Sequence, residues 1–382
     1  NLSGFFLEEN QKRQYAFGPY LAHILGYTGS LDKKEIKDYP EYFFNERVGR
    51  AGLESEYQDV LRGQPGQEEI EVDTFGKEKK VIVSSEGQAG QGLVLSLDSG
   101  LQNFLYDELN KTLAQNKLTG AAAVALNPQN GQILALVSLP SFDNNLLSQG
   151  ISQEDYLNLS KNSSQPFFNR VISGEYPAGS TIKPLIGAAA LQEGIITLNQ
   201  KINDTGDLLV ANQYDSQTVY HFSDWKVHGL INIYQAIAES CNVFFYHLGG
   251  GYGNFRGLGL DRLIKYFRLF GLGSFLGIDL PNEKNGFVPT IEWKKETKKE
   301  DWYIGDIYHL SIGQGDLTVT PLQMAIATAA IANNGVLWRP QIVDKIIDSE
   351  KNIIKEFAPQ AIRKINEPLS VLAPSDSLRS AY

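Results

Sequence analysis

The chain has 382 residues, with 34 Lys+Arg against 44 Asp+Glu, a net charge of −10, one Cys and one Met. A hydrophobic fraction of 42% excludes wholesale disorder, and the acidic balance argues against nucleic acid or a polybasic membrane contact as partner. The single thiol excludes an internal disulfide framework, and no apolar run approaches the roughly 20 residues that a membrane-spanning helix needs.

Residues 1–88 are polar, with short apolar pieces and many turn signals such as Gly18-Pro19 and Pro65-Gly66, which predicts a small accessory module. The Gly/Gln-rich segment 86–92 reads as the junction to a second domain over 89–382. Leu97, Leu101, Phe104, Leu105, Leu109 and Leu113 predict an amphipathic helix over 97–117. A hairpin follows, with strands at 121–126 and 132–138 joined by Asn127-Pro128-Gln129-Asn130-Gly131; both strands are apolar on both faces and are expected to be central and covered by helices. Helical patterns occupy 184–193, closed by Gly194, then one long stretch at 230–248, then 260–270 and 321–334. The glycine-rich segment 249–259 lacks a phosphate-binding context and reads as a connection, and the charge run KKETKK at 294–299 as a solvated surface. The fold class expected is α+β, with helices around a mainly antiparallel sheet.

Ser-x-x-Lys occurs at Ser30/Lys33, Ser180/Lys183 and Ser223/Lys226. Only Ser180 follows a turn, Tyr176-Pro177-Ala178-Gly179, and opens a helix. A serine there is usually an N-cap, but Lys183 falls on the same helical face one turn on. Its amine can take the hydroxyl proton if burial lowers its pKa, and the helix start favours developing negative charge. Ser240 and Asn242 place a hydroxyl and an amide two residues apart in the 230–248 helix. They suit proton relay and the holding of a peptide carbonyl, against the plainer reading of helix polarity facing a loop. Ser160 and Asn162 match the same pattern but precede the nucleophile. Between these elements lie Asp204, Asp224, His228 and Cys241, a mixed O, N and S donor set that suits tetrahedral zinc. The plainer reading is a buried Cys with a surface His and loop carboxylates.

Ser-x-x-Lys followed by Ser-x-Asn resembles the penicillin-recognising acyl-transferases, whose third element is Lys-Thr/Ser-Gly. More narrowly the chain resembles penicillin-binding protein 2, the class B peptidoglycan D,D-transpeptidases of cell elongation. The blocks that carry the resemblance include AVALNPQNGQILALVSLPSFD (123–143), YPAGSTIKP (176–184), ESCNVFFYHL (239–248), FGLGSFLGIDLPNE (270–283) and LSIGQGDLTVTPLQMA (310–325). The resemblance implies a penicillin-binding transpeptidase fold, with 1–88 as a dimerisation or pedestal module and 89–382 as the transpeptidase domain. It makes Ser180 the acylated nucleophile, with its backbone N–H in the oxyanion hole, Lys183 the general base, and Ser240 and Asn242 the rest of the site. The implied reaction is attack on D-Ala-D-Ala of a stem peptide, release of D-Ala and transfer of the acyl group to a neighbouring stem's amine. Hydrolysis instead would make it a serine-type D-Ala-D-Ala carboxypeptidase, and β-lactams would leave a stable acyl-enzyme.

By the same resemblance, zinc is expected on Asp204, Asp224, His228 and Cys241, with Asp207, Asp215 and His221 as alternative ligands. The implied partners are peptidoglycan stem peptides, β-lactams, a membrane glycan polymerase and elongation-complex proteins, with no nucleic acid. The implied location is the periplasmic side of the inner membrane, on a single-pass anchor upstream of Asn1. One departure stands out: no Lys-Thr-Gly or Lys-Ser-Gly occurs anywhere in the chain. With Met324 the only Met, both ends are expected to be cut, and the polypeptide is expected to be poorly active. The competing reading is a non-catalytic penicillin-recognising sensor or scaffold; a β-lactamase is weaker, since no deacylating Glu is apparent.

Overall fold

The computed structural model describes residues 12–31, 35–37, 42, 46–64, 66–72, 74, 78–212, 215 and 217–365. Lys33 of the first Ser-x-x-Lys lies outside these, and Ser30 ends a strand, not a helix start. The N-terminal part runs α1 (Ala22–Leu25), β1 (Thr28–Ser30), β2 (Arg47–Gly49), α2 (Gly52–Glu56), α3 (Gln58–Leu61), β3 (Gln67–Val72) and β4 (Glu78–Ser85). β1 pairs with β2 and β3 with β4, both antiparallel. The part nearest the rest of the chain shares its core: Leu21, Ile24 and Leu53 belong to the same apolar cluster as the central helices.

After a coil at 86–91, β5 (Gly92–Leu95) pairs antiparallel with a strand some 250 residues later, which ties the junction into the main body. α4 (Ser99–Asn116) starts where Asp98 accepts the Leu101 N–H and stops at Lys117, whose φ of 53° is left-handed. Its apolar stripe is only half-buried and Phe104 is exposed; the residue that α4 buries is Gln102. That amide donates to Tyr20 O and Leu136 O and accepts from Leu136 N–H, so it binds helix, N-terminal segment and sheet together.

The predicted hairpin is β6 (Ala121–Leu126) with β7 (Ile133–Leu139), antiparallel. β7 is largely buried, whereas β6 is half-buried throughout, and its outer edge pairs with no strand among the described residues. Sequence apolarity reports the helix cover on the faces and says nothing of an edge.

Next come α5 (Asn144–Gln149), α6 (Gln153–Ser160), α7 (Lys183–Gln192), β8 (Ile202–Asp204), β9 (Asp207–Ala211), β10 (Val219–Ser223) and β11 (Gly229–Ile231). The helix expected over 230–248 is two helices, α8 (Ile233–Ala238) and α9 (Asn242–Gly250), broken at the Ser-x-Asn motif. Apolar periodicity continues across the break because both helices face the same core, so the spacing cannot reveal it. Then follow α10 (Gly259–Leu269), α11 (Ile291–Trp293), α12 (Ile304–Ser311), α13 (Pro321–Ala332), β12 (Val336–Trp338), β13 (Val343–Ile347), β14 (Ile353–Glu356) and β15 (Ala361–Lys364). β13 lies between β14 and β5, and β12 pairs with β15. Helices α7, α9, α10, α12 and α13 build the core, with α13 against β6 and α4 against β7.

The 294–299 run is not simply a solvated surface. Lys294 is buried, 2.7 Å from Asp306 and 3.5 Å from Glu300, with Trp302 and Tyr303 rings near its ammonium. A charge is tolerated there because carboxylates twelve and six residues away fold back onto it.

Asp279 is a second buried charge. Its carboxylate accepts the N–H groups of Ile342 (2.8 Å) and Val343 (2.7 Å) and the Tyr57 hydroxyl (3.3 Å), so it joins α3's neighbourhood to the start of β13. Burial pushes its pKa up, against those donors. Asp279→Ala is expected to cost about 2–4 kcal/mol, because two buried N–H groups lose their acceptor. Urea denaturation would check this, and a loss below about 0.5 kcal/mol would refute it.

Candidate active site

Tyr176 pairs with Val319 through two backbone hydrogen bonds, which anchors the turn before Ser180. Gly179 (φ 56°) donates its N–H to Gly313 O at 2.8 Å, and a Cβ on Gly313 would sit 2.1 Å from Gly179 O. Only glycine at 313 permits that approach. Ser180 is exposed in a short 3₁₀ turn, Gly179–Ile182, that runs into α7, with Pro184 at a position where its missing N–H costs nothing. The hydroxyl is therefore presented to solvent at the start of a buried helix.

Lys183 lies below it with 1% exposure. Its ammonium donates to Ser240 O (2.7 Å), Ser240 Oγ (3.0 Å) and Asn242 Oδ1 (2.8 Å), so all three N–H groups go to the second motif. Burial brings its pKa down to about 8, although Asp224 and Cys241 act the other way. Once neutral, the amine keeps two N–H groups for the carbonyl and amide oxygens. Its lone pair is then left for a hydroxyl, which can donate as well as accept.

Ser240 occupies the left-handed region (φ 54°) just after α8. Its N–H donates to Ile237 O and that of Cys241 to Ala236 O, a helix-ending turn that usually carries glycine. α9 starts at once: Cys241 Sγ caps the Phe244 N–H at 3.3 Å and Asp224 Oδ2 caps the Val243 N–H at 2.9 Å. The second motif is thus the joint between two helices, which holds Ser240 and Asn242 towards Lys183.

Asp204, Asp224, His228 and Cys241, spread over 38 residues of sequence, bring their ligand atoms within 4.8 Å of one another. His228 Nδ1 lies 2.6 Å from Asp204 Oδ2 and 3.7 Å from Asp224 Oδ2, and Cys241 Sγ lies 3.7 Å from Asp204 Oδ2. Tetrahedral zinc with bonds of about 2.0–2.3 Å sets its ligands roughly 3.3–3.8 Å apart, which the two 3.7 Å separations match, while the 2.6 Å hydrogen bond between His228 and Asp204 would open to admit the ion. The side chains of Asp204, Asp224 and His228 are at most 1% exposed, and so is Cys241. Two buried carboxylates and a thiol against a single imidazole leave negative charge that a divalent cation would balance. Burial opposes ionisation of Asp204, but the N–H groups of Gly206 and His228 and the His228 ring hold its carboxyl below the usual range. Burial, with Asp224 and Asp204 beside it, pushes the Cys241 thiol up. His228 Nε2 is buried with no partner. These residues fit a zinc ion.

The alternative ligands go elsewhere. Asp207 and His221 pair with each other on the exposed β9–β10 hairpin, and Asp215 accepts from Thr218 and Gln217 in its turn. Ser223 ends β10, Lys226 pairs with Glu239, and Ser160 ends α6. Sequence reading missed the Gly313 approach, whose only signal is the glycine spacing of Gly313-Gln314-Gly315.

A family model of the penicillin-binding protein transpeptidase domain matches residues 121–376, and one of the penicillin-binding protein dimerisation domain matches residues 1–95. "Peptidoglycan D,D-transpeptidase MrdA" of Acinetobacter baumannii is 39% identical over 346 residues, covering 89% of this chain and 48% of that protein. The chain thus spans about half the length of the curated relatives it matches. Among solved structures, a complex of penicillin-binding protein PBP2 with MreC from Helicobacter pylori has TM-score 0.77 at 30% identity, covering 97% of this chain and 63% of that one. A structure titled as a peptidoglycan synthase complex that coordinates polymerization and crosslinking has TM-score 0.80 at 29% identity, covering 98% of this chain and 63% of that one. The residues matched by the transpeptidase model include Ser180, Lys183, Ser240 and Asn242 and make up most of the chain, which therefore belongs to the penicillin-binding protein transpeptidase family.

Proposed function

We propose that the protein is a peptidoglycan D,D-transpeptidase of cell elongation, acting through an acyl-enzyme on Ser180. The observation that carries this is the buried Lys183, one helical turn from an exposed serine and held by Ser240 and Asn242. Neutral Lys183 takes the Ser180 proton as Oγ attacks the penultimate D-Ala carbonyl. The C–N bond breaks, terminal D-Ala leaves with a proton passed through Lys183 or Ser240, and a second stem's amine then displaces Ser180. The Ser180 N–H, at a helix start, stabilises the oxyanion. β-Lactams acylate the same serine. The elongation assignment rests on the named relatives, and it implies a membrane glycan polymerase and elongation-complex proteins as partners. An anchored, periplasmic setting is part of the same proposal; among the described residues no helix is long and apolar enough to cross a membrane.

Asp204, Asp224, His228 and Cys241 would hold zinc. When bound, the ion supplies a structural cross-link and charge balance, while Cys241 and Asp224 cap α9 and so set where Asn242 points.

Incubation with a penicillin followed by peptide mass spectrometry should locate a covalent adduct on Ser180. An adduct on another residue, with Ser180 free, would overturn the reading. Ser240→Gly gives a further check. Relief of the left-handed backbone should raise stability by about 1 kcal/mol. Loss of the hydroxyl should lower the acylation rate by about 100-fold. A variant that is destabilised, or that is acylated at the parental rate, would contradict this.

A further inference from the structure

Glu239 is the C-cap of α8, immediately before the second motif, and its side chain meets Lys226 outside the ligand cluster. Around it, three contacts converge. Its backbone O accepts the Trp225 indole N–H at 3.1 Å, and its carboxylate pairs with Lys226, whose ammonium sits over the Trp225 ring. The Trp225 ring in turn packs edge-on against His228, 5.5 Å between centroids. The third contact is incomplete: His228 Nε2, buried and unpartnered, points out of the ligand cluster and lies 3.9 Å from Glu239 Oε2.

The two ring nitrogens of His228 have different neighbours. Nδ1 faces Asp204 and Asp224, so a metal held by these ligands takes the Nδ1 lone pair. The neutral imidazole must then carry its proton on Nε2, and a buried N–H without an acceptor costs about 1–3 kcal/mol. A side-chain rotation of roughly 1 Å would bring Glu239 Oε2 into hydrogen-bond range. We propose that Glu239 is the outer carboxylate of the metal centre: it accepts the His228 Nε2–H, fixes the tautomer that presents Nδ1 to zinc, and is itself steadied by Lys226. This rests on the zinc reading above. It makes Glu239 a positioning residue that links the metal to the adjoining Ser240.

Zinc affinity of the full chain, measured by competition with a chromophoric chelator, tests this on the parent, Glu239→Gln and Glu239→Ala. The parent should bind one zinc. Glu239→Ala should bind 10–100-fold more weakly, as loss of an outer-shell partner usually does, while Gln, whose amide oxygen still accepts, retains most of the affinity. Melting of the zinc-free proteins should be the same for all three, since Glu239 is exposed and its backbone contact to Trp225 survives. Parental affinity in the Ala variant, a Gln variant as weak as Ala, or an equal loss of zinc-free stability would each overturn the assignment. A parent that binds no zinc would instead remove the metal reading, and this assignment with it.

Discussion

Lys183→Met should lower the rate at which a fluorescent penicillin acylates Ser180 by about 1,000-fold, within the range that loss of a general base produces. Met keeps the length and apolar stem of the side chain, so the buried volume around α7 stays filled. What is lost is the amine that joins Ser180's helix to Ser240 and Asn242. Ser240 O and Asn242 Oδ1 lose a donor, but a buried charge is removed as well, so stability should change far less than activity. The parent's pH profile separates a base from a mere spacer. Burial holds the Lys183 pKa down at about 8, and the neutral form is the reactive one, so acylation should rise with pH and level off above about 8. At pH 7 about a tenth of the molecules would carry the neutral amine. A parental rate that is flat from pH 6 to 9, or a Met variant within tenfold of the parent, would remove Lys183 from the role of base.

Cys241→Ser should reduce zinc from one ion per chain to below about a tenth, measured by elemental analysis of the purified protein. Serine replaces a soft, anionic thiolate with a weak, neutral ligand and so removes both a strong bond and part of the negative charge that attracts the ion. The loss should reach the catalytic residues, because Cys241 lies between Ser240 and Asn242 and caps α9 through the Phe244 N–H. A melting temperature lower by several degrees and acylation slower by about tenfold are therefore expected, with chelation of the parent giving the same two changes and no further change in the variant. A metal-free parent with full stability and normal acylation would overturn the zinc reading and leave Cys241 as a helix cap.

Much of the site was legible before any fold was known. Ser180 and Lys183 are three residues apart in a 3₁₀ turn that runs into α7, and helical spacing alone puts them on one face. Ser240 and Asn242 likewise announce themselves by local spacing, as do the β6–β7 hairpin and the α7 and α13 helices. Each of these depends on neighbours within a few residues.

What spacing could not decide depends on parts of the chain that meet only in the folded protein. Lys294 looks like one charge among five until Asp306 and Glu300 return to it and make it a buried centre. Asp279 is an unremarked aspartate until the start of β13, some sixty residues on, aims two N–H groups at it. The apolar pattern over 230–248 is continuous and predicts one helix; only the left-handed Ser240 shows that the second motif is a joint. Among seven candidate ligands in and around the zinc set, it was the pairing of β8 with β11 that brought His228 to Asp204 and left Asp207 to His221 on the hairpin. The sequence by itself determined the family and the placing of Ser180 and Lys183 together, because those are encoded in short-range order. The tertiary structure alone decided which charges are buried and which donors converge, since burial and convergence belong to contacts between residues far apart in the chain.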